Sequence, residues 1–371
     1  MTSRGVPCGP TRTERRAAID IGTNSVRLLV ADVAASAPST GGESGIVPVW
    51  RNLATPRLGR GVDGRGRLSD EAMDAAAAAV HALAQQAREY GAVAVTVIGT
   101  SALRDAANQE SFTSLVRRRT GLDVRVLSGE EEAALAFLGA VRGTAAVRTA
   151  DSRAAAPDSG ASPANSRRAP EAGREAVFVL DVGGGSTELV RGAEDGAMHW
   201  ALSVDVGAVR MTEQCVRSDP VSREDWARLV GVVQAKLQPL WLSLARRPAP
   251  TGQLDAPGTP AKGGGRLIAV GGTATTLAAM HRRLRTYDPD LVHGHTLSRA
   301  DVAAMLEALK SASLAQRRTW PGLHPQRADI ILAGAVIVHQ VMAGLGARRL
   351  TVSESDLLEG VLLRAAAVVD P

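Results

Sequence analysis

One short phrase is written twice in this chain: Asp20-Ile21-Gly22-Thr23-Asn24-Ser25, and again Asp181-Val182-Gly183-Gly184-Gly185-Ser186. An apolar run precedes each copy and another apolar stretch follows, the pattern of strand, tight turn, strand. Glycine lets such a turn bring backbone N–H groups close to an oxyanion, and Asn, Ser and Thr add neutral donors. Each copy also opens with an Asp, and a bare carboxylate repels phosphate. A hard cation such as Mg²⁺ between the two reconciles these demands. A single D-x-G-x-x-S serves equally well as a hairpin with Asx-type hydrogen bonds. Its repetition at corresponding places in two halves points instead to a clamp for a chain of phosphates.

Other groups join these turns. Residues 99–108, GTSALRDAAN, leave a strand and enter a helix, a setting that favours anions. Arg104 there can hold a phosphate bidentately or pair with Asp105 or Glu110 on the surface. Residues 128–133, SGEEEA, form an acidic cluster. Ser128 and Glu131 have the spacing of a capping box, and acids in a first turn suit the helix dipole. The same physics keeps a Glu ionised there, ready to take a proton from water attacking phosphorus. Gly271-Gly272-Thr273 make a third glycine turn, either close to a phosphate or nucleotide or simply a tight corner. Glu188 either faces the same cation as Asp181 or is a solvated strand acid. The seven histidines form no ligand set, although His293 and His295 are close in sequence. No G-x-x-x-x-G-K-[ST] and no G-x-S-x-G occurs, which excludes a Walker-type loop and a nucleophile elbow.

These groups need elements to position them, and 371 residues with 45% apolar side chains suffice for two cores. The net charge of +5 suits a polyanionic partner, but aromatics at 3% are too few for the stacking platforms of a nucleic-acid binder. No apolar run reaches the ~20 residues that span a bilayer. No signal peptide is expected, and two cysteines, Cys8 and Cys215, fit a reducing cytoplasm. Residues 1–16 read as a disordered tail, 143–176 as a flexible insertion between halves, and about 247–265 as a flexible loop.

Between these segments the chain alternates strand and helix. Strands are expected at 17–21, 26–33, 47–53, 93–98 and 123–127, with helices at 69–88, 109–119 and 129–141. The second half repeats the start with strands at 177–182, 187–191 and 197–204, then a helix at 222–246. A strand at 266–270, a helix from Thr273, helices at 298–311, 326–344 and 355–367, and a strand at 349–353 complete it. The expected fold is α/β, with lobes at 17–142 and 177–371 and the cleft between them.

Taken together, the motifs resemble the exopolyphosphatase and guanosine pentaphosphate phosphohydrolase family, of the actin–sugar kinase–heat-shock chaperone superfold. The resemblance runs through AIDIGTNSVRLLVAD (18–32), RLG (57–59) with Gly66 and Leu68, GTSALRDAAN, SGEEEA and LDVGGGSTE (180–188). It continues through Ser203, the segment 207–210, Gly271-Gly272-Thr273, RAD (327–329) and SESDLLEG (353–360). It implies two duplicated actin-like, ribonuclease H-like lobes. It implies Glu131 as general base, and Asp181, Glu188 and Asp20 as ligands of Mg²⁺ or another divalent cation such as Mn²⁺. It further implies phosphate contacts from Gly22, Thr23, Asn24, Ser25, Arg104, Gly183, Gly184, Gly185, Ser186 and Thr187, with Gly271, Gly272 and Thr273 beside them. The sequence departs from longer members in lacking their further C-terminal helical domains, so short polyphosphate is the expected substrate.

The expected activity is therefore hydrolysis of the terminal phosphate of inorganic polyphosphate in the cytoplasm, by a homodimer on base rate. Alternatives are a guanosine pentaphosphate phosphohydrolase, a kinase or ATPase of the same superfold, and a non-catalytic sensor of polyphosphate or an alarmone.

Overall fold

The computed structural model describes residues 13–34, 45–154, 176–246 and 265–367. The first part contains β1 (Thr13–Ile21), β2 (Val26–Ala34), β3 (Ile46–Ala54), α1 (Val62–Arg65) and α2 (Asp70–Glu89). It continues with β4 (Ala94–Gly99), α3 (Ser101–Arg104), α4 (Gln109–Thr120), β5 (Val124–Val126) and α5 (Gly129–Ala154). The second contains β6 (Ala176–Val182), β7 (Thr187–Ala193), β8 (Met198–Val204), α6 (Ala208–Cys215), α7 (Arg223–Ala245), β9 (Arg266–Val270) and α8 (Gly271–His281). It ends with α9 (Pro289–Val292), β10 (Thr296–Ser298), α10 (Arg299–Ser311), α11 (Leu314–Arg317), a 3₁₀ turn (Pro325–Arg327), α12 (Ile331–Gly344), β11 (Arg349–Val352) and α13 (Leu357–Ala367). Among the described residues no helix is long and apolar enough to cross a membrane.

Two sheets result, ordered β3-β2-β1-β4-β5 and β10-β11-β9-β6-β7-β8. In each, an antiparallel meander (β1-β2-β3, β6-β7-β8) leads to parallel pairing of its first strand with a later one, β1 with β4 and β6 with β9. Read from β8 to β11, the second sheet repeats the order of the first and adds β10 at its edge. The repeated phrase thus marks a repeated topology.

Strand parity then decides where the acids point, because successive side chains leave opposite faces. Ala17, Ile19 and Ile21 of β1 pack under α2, with Met73, Ala76, Val80 and Leu83. Ala18 faces the other way, against Leu357 and Val361 of α13, and Asp20 shares its parity. In β6, Phe178 and Leu180 join the large outer core of the second lobe, whereas Val177 and Val179 face Phe137 and Ala140 of α5. Asp181 shares the parity of Val179, and Glu188 that of Val190 on the same α5 face. The carboxylates therefore leave the two sheets on the faces turned toward each other.

The helices covering those inner faces are exchanged. α5 closes the first half of the chain but lies on the second sheet, and α13 closes the second half but lies on the first. The lobe limits expected at 17–142 and 177–371 are corrected accordingly, since α13 belongs by packing to the first lobe. The limits of the expected flexible segments also move. Residues 13–16 form the start of β1, where Arg15 holds Asp32 through bonds of 2.8 and 3.0 Å across the ladder. Residues 143–154 prolong α5, as an Ala-rich composition allows. The remainder of those segments lies outside the described residues.

The crossover helices start as their caps require. Ser69 Oγ accepts from Ala72 N at 3.2 Å at the head of α2, and Ser222 Oγ from Asp225 N at 3.1 Å at the head of α7. Each such cap stabilises its helix by about 1 kcal/mol. The helix expected at 326–344 begins only at Ile331, because the 3₁₀ turn led by Pro325 precedes it.

Candidate active site

The two copies of the phrase fold into the same turn. Gly22 N donates to Ser25 O at 2.9 Å, and Gly183 N donates to Ser186 O at 3.0 Å. Both turns close the C-terminal ends of the central strands, the end at which open α/β sheets bind ligands. They face one another across a single cleft. Gly22, Thr23, Asn24 and Ser25 line one wall and Gly183, Gly184, Gly185 and Ser186 the other. Thr23 packs between them: a Cβ on Gly184 would stand 2.9 Å from Thr23 Cβ, and one on Gly185 2.8 Å from its Oγ1. Glycine at these positions is what lets the walls approach. Thr187, expected among the phosphate ligands, is fully buried and gives its hydroxyl to Val206 O, so it braces the turn instead of lining the cleft.

The lobes differ at one cross-strand position. Opposite Asp20 stands Arg27, and opposite Asp181 stands Glu188. Directly opposed side chains in an antiparallel pair lie about 4.5–5.5 Å apart at Cβ, so like charges there repel. Arg27 neutralises Asp20 through bonds of 3.0 and 2.8 Å to Oδ2 and also holds Asp356. At the corresponding position the second lobe has the carboxylate of Glu188 in place of a cation. Burial, and then the charge of Asp356, push the Asp181 carboxyl up to about 8; burial and Glu132 push Glu188 well above the carboxylate range. Glu188 Oε1 accepts from Ser203 Oγ at 2.7 Å, while Glu188 Oε2 and Asp20 Oδ1 are buried without a hydrogen-bond partner. Asp20 and Asp181 line the cleft, where an unsatisfied carboxylate oxygen suits an oxygen-seeking divalent cation, whereas Glu188 is buried beside Asp181 and does not itself line it. Among the described residues no three His, Cys, Asp or Glu side chains converge tightly enough to hold a metal alone. The donor set therefore fits an ion shared between one or two carboxylates, water and substrate phosphates, as Mg²⁺ is commonly bound.

The acidic cluster resolves into two roles. Glu131 completes a capping box, its Oε2 accepting from Ser128 N at 3.0 Å and its N–H donating to Ser128 Oγ at 3.1 Å. Arg125 takes its other oxygen, and the Ser128 N–H holds its carboxyl below the usual range. Turned back over its own helix start, the Glu131 carboxylate does not line the cleft. Glu131 therefore does not occupy the position expected of a general base. The next residue is rotated about 100° around the helix axis, and Glu132 does line the cleft, nearly buried. Burial, opposed by Arg104 and assisted by Asp20, places its carboxyl at about 7.

Arg104 is likewise reassigned: its Nη1 donates to Glu132 Oε2 at 2.6 Å and to Leu127 O at 3.0 Å, so its charge is spent on a protein carboxylate. The cations that line the cleft are Arg27 and Arg327. Arg327 stands over the third glycine turn, where a Cβ on Gly272 would overlap its guanidinium, and its Nη1 donates to Thr276 Oγ1 at 3.3 Å. Gly271 has φ +77°, and a Cβ there would strike the Asp181 carboxylate. Thr273 Oγ1 donates to Val182 O at 2.9 Å, tying this turn to the second hairpin. Glu132, Arg27, Asp356 and Arg327 all carry motif matches that sequence reasoning left without a role. The capping-box spacing of Ser128 and Glu131 was the available signal for Glu132.

Two duplicated lobes with exchanged inner helices, and a glycine turn from each facing one phosphate-sized cleft, define an actin-like phosphoryl-handling protein. The chain belongs to the Ppx/GppA phosphatase family, whose pattern its residues 33–151 and 170–367 match. It is 32% identical to Exopolyphosphatase 2 of Mycobacterium tuberculosis over 361 residues, 95% of this chain and 98% of that one. A crystal structure of an exopolyphosphatase-like protein, 31% identical, superposes with a TM-score of 0.76 over 96% of this chain and 99% of that one. The family member from Aquifex aeolicus, 25% identical, gives a TM-score of 0.70 over 97% of this chain and 100% of its own.

Proposed function

We propose that the chain is an exopolyphosphatase that hydrolyses the terminal phosphoanhydride of inorganic polyphosphate, with Glu132 as general base. The observation that carries the mechanism is the Glu132 carboxylate, buried at the cleft between the two turns with its proton affinity lifted to about 7. A base works best when its pKa lies near the working pH. The names carried by the relatives support the substrate.

The turns at 22–25 and 183–186 bind successive phosphates through backbone N–H groups and hydroxyls, Arg327 adds charge at the cleft, and Arg27 offsets the Asp20 and Asp356 carboxylates beside it. Asp181 and Glu188, with the free oxygen of Asp20, would hold Mg²⁺. The ion would supply charge neutralisation between carboxylates and phosphate oxygens. Glu132 accepts a proton from water as its oxygen bonds to the terminal phosphorus. The bond from that phosphorus to the bridging oxygen breaks, and the shortened chain leaves with the bridging oxygen. Arg104 fixes the Glu132 carboxylate during the transfer through its 2.6 Å bond. Positioning and electrostatics supply most of the acceleration in such transfers.

A guanosine pentaphosphate phosphohydrolase would need a base pocket beside the third glycine turn. Arg327 fills the space over Gly272, which favours a substrate without a base. The test is phosphate release with Mg²⁺ from short and long polyphosphate, guanosine pentaphosphate and ATP. Preference for polyphosphate, lost in Glu132→Gln, is expected; equal release from ATP would discard the reading.

A further inference from the structure

The loop after β3 touches both lobes at once. Its backbone is fastened to the first phosphate turn: Arg57 N donates to Asn24 O at 3.0 Å and Gly59 N to Thr23 O at 2.9 Å. Leu58 between them is fully buried in the first-lobe core, so the loop is anchored at three successive residues. From this fixed base the Arg57 side chain crosses to the other lobe. Its Nη1 and Nη2 grip Asp329 at 2.6 and 3.1 Å, and Nη2 also donates to Gln326 O at 2.7 Å. Those two acceptors flank Arg327, the cleft guanidinium. Arg57 holds this reach with φ +57°, a left-handed conformation uncommon for a residue with a side chain. Such strain persists where the surroundings over-determine it, often at functional sites.

A planar guanidinium that takes both oxygens of one carboxylate and a neighbouring carbonyl fixes direction as well as distance. The path runs from the Thr23–Asn24 carbonyls through Arg57 to the Gln326–Asp329 turn and so to Arg327. We propose that Arg57 is a positioning residue: it sets Arg327 at a fixed distance from the first phosphate turn, so that one phosphate chain meets both. The inference rests on the reading of Arg327 as a phosphate ligand. Side-chain exposures of 31% for Arg57 and 28% for Asp329 make the pair a minor contributor to folding, so its effect on activity is separable from stability.

The test is steady-state phosphate release from polyphosphate by the full chain with Mg²⁺. Small misplacements of a binding group can cost up to about 10²-fold. Arg57→Gln and Asp329→Asn should each raise KM about tenfold, change kcat much less, and leave the melting temperature unchanged. The double variant should be no worse than either single one. In an Arg327→Ala background, Arg57→Gln should have no further effect, because the residue it positions is gone. Wild-type KM in Arg57→Gln, or a further loss in the Arg327→Ala background, would overturn the proposal. If Arg57→Gln fails to fold, Asp329→Asn carries the same comparison. If the wild-type chain releases no phosphate from polyphosphate, the activity reading is what fails. The same variants, read by polyphosphate affinity, then decide the role of Arg57.

Discussion

Gly139 of α5 and Gly360 of α13 meet backbone to backbone where the exchanged helices cross. A Cβ on Gly139 would overlap the Asp356 carbonyl and stand 3.1 Å from Gly360 N, and one on Gly360 would overlap the Leu135 carbonyl. Because each helix covers the sheet of the opposite half, this crossing ties the lobes together just behind the cleft. Asp356, which Arg27 holds, sits at the same place.

Adding a methyl group at that crossing forces main chain apart, with no flexible side chain to yield. Gly139→Ala and Gly360→Ala should each destabilise by about 1–3 kcal/mol or more. A fall in melting temperature by thermal denaturation checks this; unchanged melting would mean the helices cross elsewhere.

The two adjacent glutamates should separate cleanly. Glu132→Gln should reduce phosphate release by about 10²–10⁴ while polyphosphate binding persists. Glu131→Gln should keep activity within a few-fold and lose roughly 1 kcal/mol of stability with the capping box. Parallel release assays and melting curves decide, and a dead Glu131→Gln beside an active Glu132→Gln would reverse the assignment.

The pH profile follows from the proton on Glu132. A general base must be deprotonated, so with its carboxyl at about 7, kcat/KM should fall as pH drops below neutrality. Burial raises this value and Arg104 lowers it, so Arg104→Gln should move the acid limb to higher pH. More divalent cation favours the charged carboxylates and should move the limb to lower pH. Profiles that do not respond to Arg104 would detach it from the base.

Asp181 and Glu188 oppose each other across β6 and β7, and the cation proposed there would relieve that repulsion. Mg²⁺ should therefore raise the melting temperature of the wild-type chain through linkage, by roughly 2.7 kcal/mol at a hundred times its dissociation constant. Glu188→Gln should lose that increment and depend less on the metal for folding. Scanning fluorimetry with Mg²⁺ and with a chelator provides the comparison. An equal Mg²⁺ increment in Glu188→Gln would remove Glu188 from the ion.

Much of the architecture was legible in the residues. Apolar runs broken by glycine turns located the central strands. Ser69 and Ser222 announced α2 and α7 within a residue, because caps and turns depend on local chemistry. Composition misled at two edges. Polar residues 13–16 are held by the ladder to β2, and 143–154 by continuation of a helix already begun. Of the site, both glycine turns line one cleft, and the proposed base is Glu132, one residue from the Glu131 that the resemblance implied. Membership of the acidic cluster is a matter of composition, whereas facing the cleft is a matter of helical phase.

What the sequence settled by itself was the repeated turn, the order of elements and the kinship, since all three are carried by residue types at short spacing. Only the tertiary structure decided that Arg27 stands opposite Asp20 while Glu188 stands opposite Asp181, and that Arg104 serves Glu132. It also decided that Arg57 reaches Asp329, 272 residues away. Such choices depend on sheet register, helix phase and the exchange of α5 and α13, and these are fixed by long-range packing that no local pattern encodes.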